Sequence, residues 1–397
     1  MAFSTPTPQE QPTATRKGRR SLSIGLPASS DPSERRFPLT PEGAGILVSR
    51  GFTVKIESGA GKPIHYTDRQ YSSCGATIVS RDETLRCDMV IHLPPLGVRE
   101  VMQMRRGAML LTLFQPWRQT AEGIRALLSR GIIAIAIDLI RDNFGNRPFA
   151  GILSEIAGRA AIAIGASLLA DPIHGKGILL GGVAGVVPCE ALILGSGIDA
   201  SAAARSAIGN GAIVRMFDND IYSLRNAQRE LGPGLIGSAL HPRVVQSALR
   251  TADIVIIGTL SSESLPYAHF DIDAIGEMKR GVIIFDLTGN CGKVFPSLKC
   301  IDLATMSPLD MSPTEPSRAV YVNVGSAVPR TAAMALSNTF ITMFSEIMTC
   351  EGTVNALKLV PGLQKAAYTF LGKVVNPEIA AIAGIRPIDI SIYLTLS

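Results

Sequence analysis

The sequence has no CxxC pair, no cluster of histidines and no large excess of either charge, and each absence excludes a class of function. Six cysteines (Cys74, Cys87, Cys189, Cys291, Cys300 and Cys350) and 5 histidines are scattered over 397 residues. That pattern gives neither a structural zinc or other metal site nor a disulfide framework, and it fits a reducing, cytoplasmic setting. The formal net charge is +5. Arg16, Lys17, Arg19 and Arg20 against Glu10 place +3 of it in the first 20 residues and leave +2 for the rest, too small a surplus to argue for nucleic acid. The opening MAFSTPTPQEQPTATRKGRR lacks an apolar core, so it reads as a solvated tail rather than a signal peptide. The apolar stretch KGILLGGVAGVVPCEALILG (176–195) approaches membrane-spanning length, but Pro188, Glu190 and frequent glycine interrupt it. It is expected to form two or three short buried segments, not a transmembrane helix. No sequence repeat recurs at a fixed period.

What is present is an ordinary globular composition, 46% hydrophobic and 18% charged, at a length that exceeds one core and predicts two domains. From residue 21 strand-like and helix-like segments alternate, as in a parallel sheet with crossover helices. SLSIGLP, TVKIES, CDMVIHL, AMLLTLF and IAIAIDL read as strands. LTPEGAGILVSRGF reads as a helix with Thr40 as its cap, Pro41 at its first position and Gly51 at its close. A further helix, QTAEGIRALLSRG, lies between the last two strands. The helical stretch 153–170 then leads into a second series: ALILG, AIVRMFD, ADIVIIGT, GVIIFDLT and AVYVNVG. The chain is expected to end in helices, the last from about 354 to 383.

One segment carries a chemical signature. In ALILGSGIDASAAARSAIGNGAIVRMFD, Gly195 permits the tight turn after a strand, Gly197 lets backbone approach a pyrophosphate, and Ala200 lets the following helix pack closely. Asp218 lies 21 residues after Gly197, at the end of the next strand, where it can bind both ribose hydroxyls and repel a 2′-phosphate. That favours NAD over NADP. Asp199, beside the pyrophosphate position, either repels it or points to solvent from the first helical turn.

The segment KGILLGGVAGVVPCEALILGSGIDASAAARSAIGNGAIVRMFD resembles the cofactor-domain entry of the alanine dehydrogenase and nicotinamide nucleotide transhydrogenase family, closer to the dehydrogenase branch. RRFPLTPEGAGILVSRGFTVKIESGAG resembles that family's N-terminal signature, LSEIAGRAA its interdomain helix, and VNVGSAVPRTAAMALSN its Asn-containing loop. The resemblance runs from about residue 21 to about 345. It implies an α/β protein of two doubly wound, Rossmann-like domains around a central cleft, with the cofactor domain inserted into a discontinuous substrate domain. The expected division is a tail over 1–20, a substrate domain over 21–153 and 320–397, and an NAD-binding domain over 154–319. The implied activity is NAD-dependent, reversible oxidative deamination of L-alanine to pyruvate. The implied partners are a small amino or oxo acid and further copies of the chain, in a dimer or hexamer, without nucleic acid or membrane.

Carried over residue by residue, the family's carboxylate-binding arginine falls on Arg36, with Arg35 as its neighbour and fallback. The catalytic lysine falls on Pro94, two residues after His92, which could partly replace it. The catalytic histidine falls on Gln115 and the catalytic aspartate on Asn290, two amides that keep shape and hydrogen bonding but cannot transfer a proton at neutral pH. On the cofactor side the resemblance points to Ser154, Gly195, Gly197, Ala200, Asp218, Thr259, Leu260 and Asn323. Ser154 could equally cap a helix, and Asn323 could equally serve a turn. The replaced Lys, His and Asp leave two alternatives beside an altered dehydrogenase. One is a catalytically silent NAD-binding or regulatory homologue; the other is a transhydrogenase-like nucleotide-binding subunit.

Overall fold

The aliphatic runs fold into two largely parallel sheets in a computed structural model that describes residues 22–260, 275–289, 292–306, 319–347 and 352–391. The first sheet takes β1 (Ser23–Leu26), β2 (Thr53–Glu57), β3 (Thr77–Val79), β4 (Met89–Ile91), β5 (Met109–Thr112) and β6 (Ile133–Ala136), parallel, in the order β3-β2-β1-β4-β5-β6. The second takes β7 (Glu190–Leu194), β8 (Ile213–Phe217), β9 (Leu235–Ser238), β10 (Ile254–Ile257), β11 (Ile283–Asp286), β12 (Cys300–Asp302) and β13 (Val320–Val322), in the order β9-β8-β7-β10-β11-β13-β12. The chain then returns to the first sheet, adding β14 (Ala367–Phe370) and β15 (Lys373–Val374) antiparallel beyond β6. This is the expected α/β architecture, with the second doubly wound sheet inserted into the first. β13 pairs with β11 and β12, so the chain leaves the second sheet three residues later than the boundary at 319/320.

Each sheet winds outward from its first strand, one way and then the other. The reversals leave crevices at the carboxyl ends of β1/β4 and of β7/β10, where open α/β sheets bind ligands.

Local sequence explains the element ends. The Thr40 hydroxyl accepts the Gly43 amide at 3.2 Å, Pro41 opens the helix Pro41–Ser49, and Gly51 follows with φ +95°. The long helix starts at Pro148, earlier than its apolar pattern shows, and runs to Ala170. It is the one helix among the described residues long and apolar enough to cross a membrane, yet it packs inside the fold. A Cβ on Gly158 would stand 2.1 Å from the Asp199 carbonyl oxygen, and Gly165 faces Ile254 and Phe285. Glycine is what allows this helix to lie directly on the helix Ile198–Gly209.

Three expectations need correction. Residues 176–189 are not buried segments: Leu180 is covered, but Leu179, Val183, Val186 and Val187 are exposed on an irregular hairpin held by one Val183–Val186 bridge. The segment 354–383 is not all helix, because Ala367–Val374 turns back as β14 and β15, whose alternation is too short to show as a strand pattern. Cys300 is disulfide-bonded, which the scattered cysteine spacing does not announce, whereas Cys74, Cys87 and Cys189 are free.

Candidate active site

A cleft of about 550 Å³ lies where the two sheets turn their carboxyl ends toward each other. The first sheet contributes Ser33, Glu34 and Arg36 from the loop after β1, Gln115, Trp117 and Arg118 after β5, and Asp138 after β6. The second contributes Asp286 and Thr288 from the end of β11, Asp302 from the end of β12, and Asn323 after β13, while Ser154 and Ala157 come from the long helix.

Arg36 lines the cleft, whereas Arg35 is exposed and is not among its lining residues. Glu34 holds the Arg36 guanidinium from one side, accepting Nε at 2.7 Å and Nη2 at 2.5 Å. Burial alone would lower the Arg36 pKa; the charge and hydrogen bonds of Glu34 more than reverse that, and the cation is secure. Nη1 is the terminal nitrogen that Glu34 leaves unused. It lies 3.9 Å from where a Cβ on Gly325 would stand, on the cleft side. A guanidinium pinned on one edge presents the other to a carboxylate with little loss of rotamer freedom.

Gln115 also lines the cleft. Its backbone is left-handed, φ 34°, and its side-chain Oε1 is buried without a hydrogen-bond partner. His92 does not line it. The imidazole is 4% exposed, its Nδ1 lies 2.7 Å from the Pro94 carbonyl, and burial lowers its pKa, which keeps it neutral. It sits behind the first sheet's crevice, among Arg81 and Glu100, and does not replace a lysine charge in the cleft. Asn290 lies outside the described residues.

Four acids missed in the sequence line the same space: Glu34, Asp138, Asp286 and Asp302. The available signal was position, since the last three close parallel strands or the turn just beyond one. Asp138 Oδ1 accepts the Phe114 amide at 2.8 Å. Burial raises its pKa, opposed by that hydrogen bond and by Arg147 and Arg36. Asp286 is also raised by burial, with Thr288 donating its amide at 2.8 Å and hydroxyl at 2.6 Å in opposition.

On the second sheet, Gly195 (φ +98°) makes the turn after β7, and a Cβ there would stand 2.5 Å from the Thr259 carbonyl oxygen. The Gly197 amide donates to that same oxygen at 2.9 Å. Asp199 neither points to solvent nor stands free. It is 2% exposed, with Oδ1 accepting the Ala200 amide at 2.8 Å and Oδ2 accepting the Thr259 amide and hydroxyl, both at 2.9 Å. Ala200 and Leu260 are buried. Asp218 is fixed at the end of β8 by the Ser196 hydroxyl at 2.6 Å. Ser154 is the seventh residue of its helix, so it is not a cap, and it faces the cleft. Asn323 is left-handed, φ 56°, and its Nδ2 donates to Ser33 O at 2.5 Å and Asp302 Oδ1 at 3.1 Å, tying the β1 loop to the second sheet. The tight strand-to-helix turn with an acid closing the neighbouring strand fits the place where such folds take a dinucleotide.

Two family models cover most of the chain: alanine dehydrogenase/PNT, N-terminal domain, over residues 25–157, and alanine dehydrogenase/PNT, C-terminal domain, over residues 161–377. The alanine dehydrogenase of Bacillus subtilis is 30% identical over 365 residues, covering 91% of this chain and 94% of that enzyme. A solved structure of L-alanine dehydrogenase superposes with a TM-score of 0.78 at 27% identity, covering 91% of this chain and 99% of that one. The transhydrogenase of Sinorhizobium meliloti superposes with a TM-score of 0.70 at 21% identity, over 89% of this chain and 99% of that one, a likeness of fold alone.

Proposed function

The chain belongs to the alanine dehydrogenase/PNT family, and on that premise we propose that it is an NAD-dependent oxidoreductase that interconverts a small amino acid, of which alanine is the first to test, and its oxo acid. The observation that carries the reading is the single cleft that Arg36 of one sheet shares with Ser154, Asp286 and Asn323, next to the glycine turn and Asp218 of the other. The unit built on the first sheet holds the acid, and the unit from β7 to β13 holds the cofactor. Bound NAD supplies the acceptor for the hydride that leaves the substrate's α-carbon. Asp218 takes the ribose hydroxyls in exchange for Ser196. Arg36 takes the substrate carboxylate on Nη1, and Gln115 donates its amide N–H to the carbonyl or imine side. Assembly into a homo-oligomer belongs to the same proposal and is read by sedimentation.

Gln115 and Pro94, where a proton-transferring histidine and a lysine were expected, favour a second reading, an NAD-binding protein without turnover. NADH consumption with a panel of oxo acids, pyruvate included, at high ammonia decides between them. The dehydrogenase reading expects turnover with at least one acid. NADH binding by calorimetry with no turnover across the panel would establish the silent protein.

A further inference from the structure

Resting on the reading above, we infer that Asp138 is the proton-transfer residue of the cleft, receiving the proton of the water that attacks an imine anchored on Arg36. Three observations converge on it. Asp138 stands where the β6 chain end meets the cleft that Arg36 and Gln115 line. Its Oδ1 is fixed by the Phe114 amide, the residue before Gln115, while no side chain among the described residues hydrogen-bonds Oδ2. And Gln115 Oε1 is buried in that wall with no hydrogen-bond partner among the described residues, so an acceptor beside Asp138 is left unused.

The charged and titratable groups around Asp138 come from every neighbouring element. Arg36 and its partner Glu34 follow β1, Arg118 follows β5 and is paired with Asp31, Arg147 precedes the long helix, Tyr368 lies on β14, and Asp286 and Asp302 line the opposite wall. Arg36 and Arg147 keep an ionised state accessible, and burial keeps it a strong enough base to be useful.

The chemistry balances within the cleft. The substrate nitrogen reacts as the free amine, its ammonium proton having gone to solvent, so that when the hydride leaves with its electron pair the α-carbon and nitrogen form a cationic imine. A water oxygen bonds to that carbon, and one of its protons passes to the Asp138 carboxylate. The carboxylic acid returns this proton to the nitrogen. The C–N bond then breaks with its electrons leaving on ammonia, and the hydroxyl proton follows through Asp138 to the ammonia. Oxo acid and ammonium result, and Asp138 is again a carboxylate. Gln115 orients the reacting group by hydrogen bonds, and the proton transfer assigned to a histidine moves to an acid on the next strand.

The test compares wild type with Asp138→Asn, which keeps the oxygen that accepts the Phe114 amide, and with Asp138→Ala. For Asp138→Asn the expected result is a fall in kcat of about 100-fold or more, with NADH affinity, measured by fluorescence, unchanged. In wild type the deamination rate falls as the pH drops through the raised titration of this carboxyl, above the ordinary aspartate value of about 3.9. That acid limb should be missing in Asp138→Asn and retained in Asp286→Asn. Added formate should restore part of the Asp138→Ala rate, an effect a purely structural role would not produce. Full activity of Asp138→Asn with the acid limb intact overturns the assignment alone. Absence of turnover in wild type overturns the dehydrogenase reading and this role with it. Should Asp138→Asn not fold, a wild-type profile without an acid limb is the contradicting result.

Discussion

The loops after β1 and after β7 leave equivalent strands of two sheets wound in the same order, yet they solve opposite problems. After β7 the chain spends three residues, Gly195–Gly197, before a helix begins at Ile198, and the turn lies against Thr259 backbone. After β1 it runs through fourteen residues, Pro27–Thr40, before the helix at Pro41, and presents side chains, Glu34 and Arg36. On the proposed reading, a short glycine turn lets a dinucleotide's polyanion come close to backbone, whereas a long loop offers a chosen guanidinium to one carboxylate. In the proposed function the same winding would thus support a general cofactor site and a particular substrate site, and only the first is fixed by spacing.

The largest expected effect tests the β1 side. Arg36→Ala removes the partner of Glu34, which is 4% exposed, and a buried carboxylate left unpaired costs about 3–5 kcal/mol. Urea denaturation should show that loss, and oxo-acid binding should vanish by calorimetry. Stability within 1 kcal/mol of wild type would mean that Glu34 finds solvent or another partner. On the β7 side, Gly195→Ala puts a Cβ against Thr259 O at a left-handed position. A cost of about 1–3 kcal/mol is expected, with weaker NADH binding and unchanged oxo-acid binding in the apo protein. An effect on both ligands at once would dissolve the distinction between the two loops.

The smallest effect concerns the wall between them. The folded pKa of Asp286 is raised, chiefly by burial, so its protonated form is favoured on folding. That contribution is fully present at low pH and lost as pH rises through the folded value. Asp286→Asn, neutral at all pH and keeping the oxygen that Thr288 uses, should therefore melt higher than wild type at pH 7. The gain should vanish as pH falls to about 4. A gain that persists at low pH would assign the effect to packing instead.

Much of this was legible in the residues and some was not, for physical reasons. Buried parallel strands are continuous aliphatic runs, and Thr40-Pro41 or Gly195–Gly197 dictate local backbone, so the central strands of both sheets could be read directly and the cleft only through the family resemblance. β3, β9, β12, β14 and β15 are short edge or near-edge pieces whose pairing depends on the rest of the sheet. Arg36, Gln115, Ser154 and Asn323 line the cleft. His92 does not, because β4 ends at Ile91 and the chain turns His92 inward onto the Pro94 carbonyl. Asp138 escaped notice since a lone acid after IAIAI carries no spacing signature. Its meaning comes from what β1 and β5, distant in sequence, place around it. The sequence leaves Asp199 either repelling phosphate or pointing to solvent, and only the fold shows that it fastens Thr259 to the glycine turn.

The central claim is that both loops serve one reaction in one cleft, with the hydride passing directly between the ligands they hold. Incubation with NADH deuterated at nicotinamide C4, an oxo acid that supports turnover and ammonia, followed by mass spectrometry of the amino acid formed, tests it most directly. The account predicts one deuterium on the α-carbon when the label is on the transferred face of the ring, and none when it is on the other. An amino acid unlabelled from either face, or NADH bound without any amino acid formed, would contradict it.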